Sequence, residues 1–214
     1  MSLHPKLLIF DCDGVLFDSK LANEKYYNYI LNLIGRHPLT PEELDFVHVH
    51  SLSQCLEYLC REKPHLLEKA LQISKEISYS LFFDYMIMED GLREFLDWAY
   101  PRYLIAICTN RTTSTIPLLN HFKLTHYFQY IGTALDYPKS DPRALISILD
   151  YFSIKPDLAL YIGDSQVDEN LCKTCHVPFI SYKNPNLQAL RVIHHYNELK
   201  SFLEERAMSF DTSS

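Results

Sequence analysis

The amino-acid sequence predicts an α/β fold: a doubly wound parallel sheet with an α-helical domain inserted after the first strand. Three observations predict it. Apolar runs of strand length recur between helical patterns over most of the chain. Those runs are continuous rather than alternating, as in strands covered on both faces. Between Ser19 and Tyr85 no strand candidate is convincing, and helical patterns follow one another instead.

The elements follow in order. Residues 7–10, "LLIF", form the first strand. Four stretches then read as helices: "LANEKYYNYILNLIG", "TPEELDFV", "SLSQCLEYLCRE" and "HLLEKALQISKEISYSLFFDYM". Gly35 and Pro38 punctuate the first two. Thr40 with Glu43 three residues on has the spacing of a capping box. After this insert, helices over 92–100, 113–122, 142–152, 168–175 and about 194–206 separate strands over 103–108, 128–131, 158–162 and 177–181. This alternation is the signature of a parallel sheet wound with helices. The expected domains are a core of residues 1–18 and 86–214 and a helical domain of residues 19–85.

The bulk properties fit such a protein. At 47% hydrophobic and 22% charged residues, a chain of 214 residues can bury a proper core. The net charge of -7 argues against a nucleic-acid or anionic-membrane partner. No apolar run reaches the length of a membrane span, and the first residues, "MSLHPK", lack the pattern of a secretory signal. A cytoplasmic protein, monomeric or weakly dimeric, is expected. The six cysteines are then expected to be reduced and semi-buried. "CKTCH", residues 172–176, matches a haem-attachment spacing, but without export the better reading of Cys172 and Cys175 is packing of a helix.

Chemistry concentrates at the strand ends, where sites form in sheets of this kind. The first strand stops at Asp11-Cys12-Asp13-Gly14. The second is followed by Thr109-Asn110-Arg111 and the fourth by Gly163-Asp164-Ser165, with Asp168 a turn later. Lys139 precedes the helix at Pro142. Two carboxylates beside each other repel and resist burial, so a cation is needed to offset the cost. Oxygen donors without imidazole or thiolate favour Mg2+. Residues i and i+2 share a side of an extended strand, so Asp11 and Asp13 are expected to face one site.

"DCDGVLFDS", "CTNR", "PKSDP" and "GDSQVDEN" resemble the four motifs of the haloacid dehalogenase superfamily, in order and spacing, over nearly the whole chain. The helical insert is similar to the cap of its phosphoglycolate-phosphatase-like branch. The resemblance implies a Rossmann-like core of that superfamily's type and a Mg2+-dependent phosphatase acting on a small phosphorylated metabolite. It implies Asp11 as the nucleophile that forms an aspartyl-phosphate, and Asp13 as acid and then base. It implies phosphoryl contacts from Thr109 and the Asn110 amide, with Arg111 beside them, and charge neutralisation by Lys139. Mg2+ would be held by Asp11, the carbonyl of Asp13 and Asp164, with Asp168 orienting metal waters or Lys139. The segment 17–19 would lead into the cap hinge.

Two stretches depart from the family pattern. "PKSDP" stands for the commoner K-P-x-P, and "CKTCHVPF" stands where small residues and a glycine are usual. A phosphosugar mutase shares all four motifs, and a non-catalytic phosphate-binding module is a further alternative. Haloacid dehalogenation is disfavoured, because that branch lacks the carboxylate at Asp13. In the cap, the stretch 46–54, "FVHVHSLSQ", precedes a helix that Ser51 or Ser53 could cap. If it is extended, His48 and His50 face one way and could read the substrate's leaving group; the alternative is that they are surface or packing histidines.

Overall fold

The computed structural model describes residues 4–211. The chain divides into two compact units, one built from the segment up to Phe17 and from Met88 onward, the other from Asp18–Ile87. In chain order the elements are β1 (Leu7–Phe10), β2 (Phe17–Asp18), α1 (Lys20–Leu33), α2 (Pro41–Val49), α3 (Leu52–Leu59), α4 (Leu67–Glu76), β3 (Ile87–Met88), α5 (Leu92–Ala99), β4 (Leu104–Cys108), α6 (Thr115–His121), β5 (Tyr130–Gly132), α7 (Arg143–Phe152), β6 (Ala159–Gly163), α8 (Gln166–Cys175), β7 (Phe179–Tyr182), β8 (Arg191–Ile193) and α9 (Tyr196–Asp211).

Among the described residues, six strands form one sheet in the order β5-β4-β1-β6-β7-β8. Every pairing in it is parallel, and Phe10 lies opposite both Ile107 and Ile162. The chain steps outward from β1 to β4 and β5, then returns to β6 on the other side of β1. The order therefore reverses at β1, and the carboxyl ends of β1, β4 and β6 converge there.

The continuous apolar runs are explained by cover on both faces. Leu7, Ile9, Ala106 and Tyr161 pack with Leu145 and Ile148 of α7 and with Leu171 and Cys172 of α8. On the opposite face Phe10 meets Phe95 of α5 and Tyr196 of α9, with ring centroids 6.1 and 6.5 Å apart. All four residues of β1 are fully buried. Burial of each such side chain contributes about 1.5–3 kcal/mol, which fixes the strand that carries the first motif.

In the helical unit, Thr40 and Glu43 exchange the two hydrogen bonds of a capping box, with Pro41 following at the first helical position. Ser51, not Ser53, caps α3, in a second box with Gln54. Tyr26 of α1 packs against Tyr79 and Phe82.

Several sequence expectations need correction. The long helix expected over "HLLEKALQISKEISYSLFFDYM" is broken into a 3-10 turn at Pro64–Leu66, α4, and a 3-10 segment at Tyr79–Tyr85. The break falls at Ile77, which is extended, and at Ser78, whose hydroxyl accepts the Ser80 N–H. A β-branched residue followed by serine favours such a stop. The strand expected over 128–131 begins at Tyr130, because the Phe128 N–H closes a turn on the Thr125 carbonyl. β8 was not expected; it is short and its first residue, Arg191, is exposed. The stretch 46–54 is extended only at His50 and Ser51: α2 runs through His48 to Val49, His50 caps it, and α3 begins at Leu52.

"CKTCH" proves to be a helix end. Cys172 and Cys175 are buried, unbridged side chains of α8, and His176 turns the chain out of the helix at φ 56°. Among the described residues, no helix is long and apolar enough to cross a membrane.

Candidate active site

Asp11 continues β1 by one residue, its N–H donating to the Ile162 carbonyl at 2.9 Å. Its Oδ1 accepts the Cys12 N–H at 2.6 Å and the Lys139 ammonium at 2.6 Å. Lys139 is buried, and its loop is pinned by Asn110, whose Oδ1 accepts the Lys139 backbone N–H at 2.9 Å. The ammonium also donates to Asp168 Oδ1 at 2.7 Å. Burial works against its charge, but Asp11 and Asp168 outweigh that and raise its pKa, so Lys139 stays protonated.

Asp168 is fully buried. Its Oδ1 accepts from Lys139 and from the Tyr161 hydroxyl, the latter at 2.8 Å. Its Oδ2 accepts the Ser165 hydroxyl at 2.6 Å and the Ser165 N–H at 3.2 Å. Ser165 returns the favour as N-cap of α8, taking the Asp168 N–H. Four donors use the lone pairs of one carboxylate.

Asp164 leaves the end of β6, its carbonyl held by the Asn184 side-chain amide at 2.8 Å. Asp11, Asp164 and Asp168 present carboxylate oxygens that all lie within 4.8 Å of one another. Burial pushes the Asp164 carboxyl up to about 7; Asp168 and Asp13 add to the rise and Lys139 opposes it. Burial likewise raises Asp11, against Lys139 and with help from Asp168 and Asp164.

Two glycines permit this crowding. A Cβ on Gly14, whose φ is +73°, would lie 1.9 Å from Asp164 Oδ2. A Cβ on Gly163 would lie 2.7 Å from the Asp168 side chain. Only glycine allows either approach.

Asp13 does not join the three carboxylates through its side chain. Arg111 holds it in a fork: Nε donates to Oδ2 at 2.7 Å and Nη2 to Oδ1 at 2.8 Å. Arg111 Nη1 reaches Ser114 Oγ at 3.2 Å, and the Arg111 N–H donates to the buried Thr109 Oγ1 at 3.1 Å. Arg111, expected to touch substrate, thus holds a carboxylate of the protein, and the Asn110 side chain holds the lysine loop.

His48 and His50 lie in the helical unit. The His50 ring stacks on Phe46 with centroids 3.8 Å apart, and its Nδ1 lies 2.9 Å from the Phe46 carbonyl oxygen. His48 Nδ1 is buried without a hydrogen-bond partner among the described residues, and burial lowers its pKa. Because α2 continues through His48, the two rings do not share the side of an extended strand.

Sequence reasoning missed Tyr161 and Asn184. A signal for the first exists: a phenol inside a strand covered on both faces must find a polar partner. Asn184 carries no comparable signal, since its acceptor lies 20 residues away, just past the end of β6.

The donor set fits a hard cation. It is all oxygen, and burial together with the neighbouring carboxylates raises the pKa of Asp11 and of Asp164, a cost that a cation between them would offset. With Asp168 filled by its own donors, Asp11 and Asp164 are the carboxylates suited to hold an ion.

The chain belongs to the haloacid dehalogenase-like hydrolases, whose family model matches residues 8–182. It is 26% identical over 198 residues to a phosphoglycolate phosphatase of Pseudomonas fluorescens (strain Pf-5), spanning 83% of this chain and 69% of that protein. It is 28% identical over 194 residues to the phosphoglycolate phosphatase of Rhodobacter capsulatus, spanning 82% and 83% of the two chains. Among solved structures it is similar to a haloacid dehalogenase-superfamily hydrolase of subfamily IA, variant 1, from Geobacter sulfurreducens PCA, with 36% identity and a TM-score of 0.82 over 93% of this chain and 96% of that one. A haloacid dehalogenase-like protein from Streptococcus pneumoniae, 17% identical, shares the fold with a TM-score of 0.82 over 92% and 98% of the chains.

Proposed function

We propose that the protein is a Mg2+-dependent phosphatase that hydrolyses a small phosphorylated metabolite, with phosphoglycolate-like esters the first candidates. The observation that carries the reading is the Lys139 ammonium set between Asp11 and Asp168, 2.6 and 2.7 Å from their oxygens, with Asp164 beside them. The names of the curated relatives support the substrate class.

Lys139 and the Cys12 N–H both engage Oδ1 of Asp11, which leaves Oδ2 as the attacking oxygen. Asp11 attacks phosphorus, the bond to the leaving oxygen breaks, and Asp13 gives that oxygen a proton. Asp13 then takes a proton from water, whose oxygen attacks phosphorus and breaks the bond to Asp11. The products are an alcohol and inorganic phosphate. The Thr109 hydroxyl, at the end of β4, and the Asn110 N–H are placed in this reading against the phosphoryl oxygens, where charge grows in the transition state. Asp11 and Asp164, with the Asp13 carbonyl, would hold Mg2+, which when bound offsets their repulsion and screens the phosphoryl charge.

Phosphate release from a panel of phosphorylated metabolites, with and without chelator, tests the reading. Release that requires Mg2+ supports it. Interconversion of sugar phosphates without phosphate release would instead make the protein a mutase.

A further inference from the structure

We propose that Tyr161 is a positioning residue that sets how firmly Asp168 holds Lys139 and so how much of the lysine's charge is available at Asp11. The proposal rests on the phosphatase reading above. Tyr161 sits in β6 and is fully buried against the face covered by α7 and α8. Its hydroxyl rises out of that apolar layer and meets two acceptors, Asp168 Oδ1 at 2.8 Å and the Cys108 carbonyl at 3.1 Å. A phenol has one proton to give. The shorter contact is to a carboxylate, and a hydrogen bond to a charged acceptor is the stronger one.

The same oxygen, Asp168 Oδ1, accepts the Lys139 ammonium at 2.7 Å. Tyr161 and Lys139 therefore share one acceptor atom. The Lys139 nitrogen also lies over the phenol ring, 5.9 Å from its centroid. Ser165 fixes Oδ2 with two bonds, so Oδ1 is the variable end of the carboxylate. A donor from Tyr161 spreads the negative charge of Oδ1 and weakens its pull on Lys139. Without it, Asp168 draws the ammonium away from Asp11, 2.6 Å on the other side. The bland role for a buried tyrosine, satisfying its hydroxyl on a backbone carbonyl, accounts for the contact to Cys108 but not for the shorter one.

The test compares wild type, Tyr161→Phe, Asp168→Asn and the double variant in steady-state turnover of p-nitrophenyl phosphate and of the best metabolite substrate, with melting temperatures alongside. Tyr161→Phe should lower kcat about ten-fold with KM changed less than two-fold. In the Asp168→Asn background it should lower kcat less than two-fold further, because the negative charge that Tyr161 tempers is already gone. Incorporation of 4-aminophenylalanine at position 161 restores a donor and should bring kcat to within three-fold of wild type; it also serves if the phenylalanine variant does not fold. An unchanged kcat in Tyr161→Phe, an equal further loss in the Asp168→Asn background, or a ten-fold loss with the amino analogue would overturn the proposal. If the wild type releases no phosphate, or Asp11→Asn matches it, the phosphatase reading falls and the Tyr161 role falls with it. If the wild type is active and Asp11→Asn is dead, the Tyr161 results stand alone.

Discussion

Arg111 grips both oxygens of Asp13, with Nε 2.7 Å from Oδ2 and Nη2 2.8 Å from Oδ1. The guanidinium side chain is nearly buried, so this is no loose surface pair. The planar fork fixes where Asp13 points, which a lysine cannot reproduce.

If Asp13 delivers a proton to the leaving group, its orientation matters most when that group is a poor one. Arg111→Lys should lower kcat/KM about ten-fold for alkyl phosphates and less than three-fold for p-nitrophenyl phosphate, whose leaving oxygen needs little protonation. Equal losses on both substrates would mean that Arg111 acts through something other than Asp13.

Gly14 tests the close packing of the carboxylates. Gly14→Ala places a methyl where Asp164 Oδ2 now lies, and at a positive φ. Activity should fall at least a hundred-fold, since Asp164 must move, while the melting temperature drops by only a few degrees. Wild-type activity in this variant would show that the position of Asp164 does not matter.

The metal-free protein should lose stability as pH rises. Asp164, raised from 3.8 to about 7, binds more protons when folded than when unfolded across that window. The slope of unfolding free energy with pH is then negative between those values. Asp11, also raised, adds in the same direction. Magnesium should offset the repulsion, so the gain in melting temperature on adding Mg2+ should be larger at pH 8 than at pH 5, where protons compete for the same oxygens. Gains of the same size at both pH values would mean that the cation does not bind these carboxylates.

His176 ends α8 in the left-handed region at φ 56°. A side chain there costs roughly 1–2 kcal/mol, and glycine avoids it. His176→Gly should raise stability by about 1 kcal/mol in urea unfolding, less whatever glycine gains in the unfolded chain, with turnover unchanged. A loss of stability would show that the imidazole makes a contact worth more than the strain.

The sequence by itself determined five of the six strands described in the sheet, the helices between them, and the gathering of Asp11, Lys139, Asp164 and Asp168 at its carboxyl edge. These are legible because they follow from local facts. Leu7–Phe10 is apolar throughout because both its faces are covered, and a charged run at its end marks the sheet's carboxyl edge. The Thr40–Glu43 box is written in four residues. What only the tertiary structure decided is who meets whom across strands. Arg111 and Asp13 are 98 residues apart, and nothing local says that the arginine turns to the aspartate rather than to substrate. The Tyr161 phenol signals from the sequence that it needs a polar partner, but only the fold makes that partner Asp168, one turn into the next helix. The stretch with His48 and His50 could be extended by its sequence, but α2 takes residues 46–49 and α3 those from Leu52 on, which leaves only His50 and Ser51 between them. Periodicity and capping act over a few residues and can be read in order; a hydrogen bond between strands depends on register and twist, which exist only once the chain has folded.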